Sequence, residues 1–152
     1  MYSKEEKKEL NSQFFKMFVE RMRRHTSQGG GGRWESYRTG VKGLYFRMLT
    51  TPTVALAIDL QQKDPEIRAL IYDQFLEFGT MLKGHWGEDV RFEQEIYLEV
   101  GVPVSRISIE LPQAYFFDRK QWQQMLEWYE EKWLELDLFW EMAGDVIKEL
   151  VR

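Results

Sequence analysis

Apolar residues recur at helical spacing in three segments of the chain and alternate with polar residues in two pairs of shorter segments. The first helical segment opens at Ser3, which together with Glu6 forms the sequence signature of a capping box. Its apolar stripe consists of Leu10, Phe14, Met17, Phe18 and Met22. A glycine-rich loop over 26–32 follows. The pattern therefore predicts an N-terminal helix and a flexible loop.

The alternating segments predict two hairpins. Residues 44–49 and 54–61 alternate on either side of a Thr-Thr-Pro-Thr turn, and 91–99 and 106–111 do so around the turn at Gly101. Between the loop and the first hairpin, 33–38 fits a short helical turn or an irregular segment. Each hairpin has one apolar face, so each is expected to bury that face.

A helix follows each hairpin. Asp64-Pro65 opens the first, with an apolar stripe running from Ile67 to Leu82 and a stop at Gly84. Asp118 caps the second, whose stripe runs to the end of the chain. A helix of this length would reach about 48 Å, more than one sheet face covers. We therefore expect it either to break near Asp137 or Gly144 or to pack on another subunit.

The order of these elements defines the fold class. We predict an α+β domain, a helix followed by two β-hairpin-plus-helix units, with a four-stranded antiparallel sheet and helices packed on one face. All of 1–152 would form this single domain, because the chain is about the size of one ordinary domain.

Composition narrows the class of protein. The chain has no cysteine, which excludes disulfides, thiolate nucleophiles and Cys-ligated metals. The charged N-terminus is unlike a signal peptide, and no apolar run approaches the roughly 20 residues that span a bilayer. We expect a cytoplasmic protein without membrane contact. Aromatic residues make up 15% of the chain, which indicates either rings on a partner surface or an unusually aromatic core.

Charge is unevenly distributed between the two parts of the chain. Residues 1–63 carry twelve Lys/Arg against six Asp/Glu, a balance of +6, whereas 64–152 carry nine against nineteen, a balance of −10. The basic part could face nucleic acid or the chain's own acidic part. The acidic total, −4, favours the second interpretation.

Three residues at the end of a predicted strand are weak catalytic candidates. Metal-dependent nucleases place an acidic residue and then an acid-x-Lys pair on adjacent strands, where the carboxylates bind Mg²⁺ and the lysine positions the attacking water. Asp59, Gln61 and Lys63 resemble half of that pattern. An amide stands where a carboxylate is usual, and all three lie on one strand. The two histidines, His25 and His85, lack a partner at metal-ligand spacing. No metal site and no cofactor is predicted, and a solvated sheet face is the favoured interpretation.

Basic and aromatic residues interleave in the first strand and the segment before it. Such a surface can stack bases and bind the phosphates of single-stranded nucleic acid. The candidate binding residues are Arg33, Trp34, Tyr37, Lys42, Tyr45 and Arg47, with Arg106 on the last strand. The alternative, which we favour, is that the rings pack over the sheet while the cations are solvated.

The C-terminal helix is the candidate for self-association. A long amphipathic helix with bulky rings is suited to a homodimer seam, and core packing is the competing interpretation. The predicted interface residues are Trp133, Leu136, Trp140 and Ile147.

Several short stretches carry a family resemblance: Trp34-x-x-Tyr37-x-Thr39-Gly40-x-Lys42-Gly43, Ala57-Ile58-Asp59-Leu60-Gln61, Phe92-Glu93 and Ser105-Arg106-Ile107. Through them the chain resembles the bacterial domain-of-unknown-function 4268 family. Larger members of that family tend to carry nuclease-like N-terminal modules, which implies a setting related to DNA or defence.

The expected function is that of a non-enzymatic binding or association module that forms a homodimer. The alternatives are a nucleic-acid-associated accessory domain and, third, a metal-dependent nuclease-like enzyme.

Overall fold

The computed structural model describes residues 1–29, 33–98 and 101–152, which form four α-helices and four β-strands. In chain order they are α1 (Lys4–Met22), β1 (Leu44–Leu49), β2 (Ala55–Leu60), α2 (Pro65–Glu77), α3 (Gly79–Trp86), β3 (Arg91–Tyr97), β4 (Pro103–Glu110) and α4 (Trp122–Leu150). The predicted capping box is present at the start of α1, where Ser3 and Glu6 hydrogen-bond reciprocally. Of the predicted glycine-rich loop, residues 30–32 lie outside the described residues.

The strands form one antiparallel sheet in the order β1-β2-β4-β3. The two predicted hairpins therefore lie side by side, with β2 and β4 in the centre. The predicted α+β fold class is confirmed. Phe46, Ile58 and Ile107 alternate with polar side chains along their strands, so they point to the same face of the sheet. The helices pack against that apolar face.

The core is rich in aromatic rings. The ring of Phe46 lies 5.6 Å from that of Trp140 and 6.1 Å from that of Trp133, both on α4. Most of the described tryptophans are buried in the same cluster. Core packing therefore accounts for much of the high aromatic content.

The helix α4 is unbroken over 29 residues, about 44 Å, and buries side chains from Trp122 to Ile147. The predicted break near Asp137 or Gly144 is wrong, and packing on another subunit stays a prediction. The helix α1 packs along its first half, where the rings of Phe14 and Trp122 lie 5.2 Å apart. On the second half, Phe75 of α2 contacts Phe139, so other helices cover what the sheet does not.

The predicted interface residues on α4 lie in the core of the single chain. None of the four, Trp133, Leu136, Trp140 and Ile147, exposes more than 3% of its surface. Their helical spacing marks the stripe that packs on the sheet and on α1 to α3, and a second copy cannot reach them. This is the correction that the structure makes to the predicted dimer seam.

The helix predicted from Asp64 onward is two helices. At Phe78 the backbone leaves the helical region, with ψ of 5°, and α3 begins at Gly79. The Phe78 ring packs edge-on against Phe139, with 6.1 Å between centroids. The bend allows the indole of Trp86 to donate to the backbone carbonyl of Lys132 on α4 at 3.0 Å.

Candidate functional site

A fully buried carboxylate lies at the centre of the sheet face opposite the core. The strand register places Asp59 of β2 between Tyr45 of β1 and Arg106 of β4. Residues directly opposite one another across strands point to the same face of a sheet. Tyr45, Asp59 and Arg106 therefore converge on one face of the sheet.

Both oxygens of Asp59 are engaged by arginine. Arg106 makes a bidentate pair, with Nε 2.7 Å from Oδ1 and Nη2 2.8 Å from Oδ2, and Arg47 Nε lies 3.3 Å from Oδ2. The hydrogen bond to Asp59 raises the pKa of Arg106 against the opposing effect of burial. The carboxylate therefore orients two guanidinium groups, and a metal ion would have to displace both of them.

The guanidinium of Arg47 is held from three sides and still reaches solvent. Hydrogen bonding assigns the Gln61 amide oxygen as the acceptor from Arg47, at 2.9 Å from Nη2 and 3.2 Å from Nε. The guanidinium also lies 5.0 Å from the centroid of the Tyr45 ring, a cation–π distance. Arg47 and the exposed ring of Tyr45 thus form a fixed cationic and aromatic surface.

A concave pocket of about 760 Å³ borders this surface, and we call it the basic pocket. Residues 40–43 before β1, residues 61–64 after β2 and the end of α4 with the C-terminus line it. The cationic side chains in its lining are Lys42, Lys63, Lys148 and Arg152, and Asp64 carries the one acidic side chain among the described lining residues. The pocket is locally positive although the chain carries a net charge of −4.

Glycines shape one wall of the basic pocket. Gly40 and Gly43 have φ of +79° and +82°, values that L side chains rarely adopt. The side chain of Lys148 crosses Gly40 so closely that a Cβ there would stand 2.7 Å from its Cε. Gln62 ties the opposite wall to this loop by donating from Nε2 to the Lys42 carbonyl at 3.0 Å. Its buried Oε1 has no hydrogen-bond partner among the described residues.

The acidic groups near the pocket have partners of their own. Asp64 is the N-cap of α2 and accepts from the Glu66 backbone N–H at 2.9 Å. Glu149 lies 3.1 Å from Arg152, which offsets part of that cation's charge. Lys42 and Lys63 are exposed, so they present their charge to solvent.

The structure brings some of the predicted binding residues together and not others. Lys42, Tyr45, Gln61 and Lys63 line the basic pocket, and Arg47, Asp59 and Arg106 lie on the adjacent sheet face. Trp34 is buried and donates from its indole to the His25 carbonyl at 3.1 Å. Tyr37 donates its hydroxyl to Asp137 at 2.6 Å. The stacking surface expected over 33–47 is therefore reduced to Tyr45, while Arg33 is exposed apart from it.

Two contributors to the site carry no signal in the sequence. Lys148 and Arg152 reach the pocket only because α4 runs unbroken back to the loop at Gly40. No group of three or more His, Asp or Glu in the described parts of the chain could hold a metal ion. None of the described helices is long and apolar enough to cross a membrane.

The fold and this site define a small α+β domain that presents paired arginines beside a basic pocket. The chain belongs to the family described as domain of unknown function (DUF4268), whose model matches residues 10–143. The match confirms the resemblance noted in the sequence and covers the whole sheet and most of α4. No curated protein and no solved structure matches the chain.

Proposed function

We propose that this domain is a non-enzymatic nucleic-acid-binding module whose basic pocket holds backbone phosphates. The observation that carries the proposal is the collection of four cations around one cavity in a chain that is acidic overall. Phosphate contacts from Lys and Arg supply most of the affinity of sequence-independent binding. A cytoplasmic setting is part of the proposal.

The surface beside the pocket suits single strands. The exposed ring of Tyr45 lines the pocket, and Arg47 is fixed 5.0 Å from the centroid of that ring. A base stacked on Tyr45 would leave its phosphate within reach of Lys42 or Lys63. We therefore expect single strands to bind more tightly than duplexes of the same length.

The test is the salt dependence of oligonucleotide binding. Fluorescence anisotropy with labelled single-stranded and duplex oligonucleotides would give Kd over a series of salt concentrations. For a single strand, log K falls with log salt at a slope of about −0.7 per neutralised phosphate. The double variant K42Q/K63Q should lower affinity at least about tenfold and reduce the magnitude of the slope by up to about 1.4.

A matched control separates the pocket from net charge. The double variant K16Q/K120Q removes the same two charges from exposed lysines on α1 and before α4, outside the basic pocket. It should change affinity less than about twofold at moderate salt. The proposal fails if the native protein binds no oligonucleotide at low salt, or if the two double variants lose affinity equally.

A homodimer is a second candidate, and it has to use a surface other than the predicted seam. Leu138, Met142 and Val146 form an exposed row at four-residue spacing on α4, with 43% to 64% of each residue accessible. Exposed apolar rows of this kind are suited to helix pairing. Light scattering at micromolar concentration should then give twice the monomer mass, and Met142→Glu should restore the monomer. A monomeric native protein ends this candidate.

A further inference from the structure

The helix α2 turns a cation towards the interior of the protein and two apolar residues towards solvent. The predicted apolar stripe begins at Ile67, but Ile67 and Leu70 are 40% and 47% exposed, whereas Arg68 is only 9% exposed. Arg68 lies on the inward face of α2 together with Ile71 and Phe75. Arginine is rarely buried to this extent unless an acidic group pairs with it.

The guanidinium of Arg68 has no acidic partner within the described chain. Its Nη1 donates to the Gln62 backbone carbonyl at 2.8 Å, and no described carboxylate forms an ion pair with it. The carbonyl is a neutral acceptor, and a guanidinium carries several further N–H donors, so most of its hydrogen-bonding capacity is unused. A buried cation without a counter-charge is costly, so an anionic group that reaches Arg68 would offset that cost.

Arg68 lines a cavity between α2 and the strands β3 and β4, and we call it the arginine cavity. Its volume is about 400 Å³. Its lining consists of Pro65, Arg68, Ala69, Gln94, Glu95 and Ser105. None of these residues lines the basic pocket. Ligand sites in proteins begin at about 300 Å³, so the arginine cavity suits a small molecule.

A β-bulge places two residues of β3 at the rim of the arginine cavity. The register with β4 shifts between Glu93 and Ile96, so Gln94 and Glu95 both stand opposite Ser105. The Ser105 hydroxyl is buried and donates to the Gln94 carbonyl at 2.5 Å, which holds the bulge in place. Bulges re-aim side chains and are common next to functional sites. Here the bulge brings the exposed Glu95 to the cavity that Arg68 lines.

The arginine cavity therefore carries one buried positive side chain and one exposed negative side chain. Arg68 and Glu95 form no ion pair with each other or with any other described residue. A ligand that carries both charges would complement the two groups at once. Pro65 and Ala69 supply the apolar part of the lining, which suits a small aliphatic side chain on that ligand.

We propose that the arginine cavity binds a free amino acid, with its carboxylate on the Arg68 guanidinium and its ammonium group directed towards Glu95. A guanidinium and a carboxylate match in a planar, bidentate arrangement. A phosphate fits this pattern of charges less well. It carries more than one negative charge at neutral pH and offers no positive group to Glu95, so the two anions would repel. This site goes beyond the proposed nucleic-acid function and does not depend on it.

The probe is L-alanine, titrated into the native protein and followed through the backbone amide signals of Ala69 and Gln94 in nitrogen–proton correlation spectra. A ligand of this size binds with modest affinity, so the titration extends to about 100 mM and should saturate. Propionate is alanine without the ammonium group and should bind about twofold to fivefold more weakly, the range for one exposed ion pair. Ethylamine is alanine without the carboxylate and should bind at least about tenfold more weakly.

Two substitutions assign the two ends of the ligand. Arg68→Gln removes the cation but keeps a donor for the Gln62 carbonyl, and it should weaken L-alanine binding at least about tenfold. Glu95→Gln should abolish the preference for L-alanine over propionate, because the group that receives the ammonium is then uncharged. Arg91→Gln is the matched control, since it removes an exposed cation of β3 that does not line the arginine cavity. It should bind L-alanine as the native protein does.

Each other outcome overturns the proposal. It fails if L-alanine causes no saturable change in either signal, or if Arg91→Gln weakens binding as much as Arg68→Gln. It also fails if inorganic phosphate binds more tightly than L-alanine, or if Glu95→Gln keeps the preference over propionate. If circular dichroism shows that Arg68→Gln does not fold, Arg68→Lys replaces it. Lysine keeps the charge without the bidentate geometry, so L-alanine should bind at least about threefold more weakly, and an unchanged affinity contradicts the proposal.

Discussion

Glu130 on α4 joins the end of α1 to the core through Arg21, Arg24 and His25. Its carboxylate accepts from Arg21 Nε at 2.8 Å and from Arg24 Nη2 at 2.7 Å, and it lies 2.7 Å from His25 Nε2. Burial alone would raise the pKa of Glu130, but the hydrogen bonds from Arg24, His25 and Arg21 outweigh it and lower the pKa to about 2. Folding is therefore linked to ionisation of this group.

The lowered pKa of Glu130 gives the size and the sign of its contribution to the free energy of unfolding. A pKa of about 2 in the folded state against 4.5 ordinarily corresponds to about 3 kcal/mol at neutral pH. Because the Arg24 side chain is 64% exposed, solvent screening reduces this to about 2 kcal/mol. The folded pKa lies below the unfolded one, so the stabilisation is complete above about pH 4.5 and is lost as the pH falls through about 2.

Glu130→Gln should therefore lower the free energy of unfolding by about 2 kcal/mol at pH 7, measured by urea denaturation. The deficit relative to the native protein should shrink as the pH falls below 4.5. Glu127→Gln is the matched control, because its exposed carboxylate lies 3.9 Å from Arg21 and should contribute less than about 0.5 kcal/mol. A deficit that is absent at pH 7, or that stays constant down to pH 2.5, would refute the linkage.

Three further substitutions test other buried contacts, each by the same urea titration. Asp59→Ala leaves Arg106 without its bidentate partner and should cost about 3 kcal/mol; a loss below about 1 kcal/mol would show that the pair is solvated. Asp137→Asn weakens the charged acceptor of the Tyr37 hydroxyl and of the Gly29 N–H, and should cost about 2 kcal/mol. Gly29→Ala places a Cβ 2.8 Å from the Tyr37 hydroxyl and should cost about 1–3 kcal/mol, whereas no loss would mean that the loop moves freely.

Elements with a local signal could be predicted from the sequence. The capping box at Ser3 and the Asp64-Pro65 start each satisfy backbone groups within a few residues, so their effect does not depend on the rest of the fold. Alternation over 44–49 likewise assigned β1 correctly, because one face of that strand meets the core.

Features that depend on contacts with other parts of the chain could not be predicted from the sequence. An apolar stripe on α4 is equally suited to a core and to a dimer seam. Trp140 is buried because α1, α2 and α3 pack along the length of α4, and the sequence of α4 alone does not show this. The same holds for Trp34 and Tyr37. Their rings could stack bases, but the acceptors for their polar groups are the His25 carbonyl and Asp137, which lie elsewhere in the chain.

The charge asymmetry along the chain has two different outcomes in the fold. Arg21 and Arg24, from the basic part, pair with Glu130 of the acidic part, as the self-complementary interpretation requires. The basic pocket does not follow that division. Lys42 and Lys63 come from the basic part and meet Lys148 from the acidic part. The net charge of a sequence segment does not show which Lys and Arg side chains pair with the chain's own carboxylates and which are available to bind a partner. The distances between charged side chains in the folded chain show which are which, and they locate the candidate site at the end of α4.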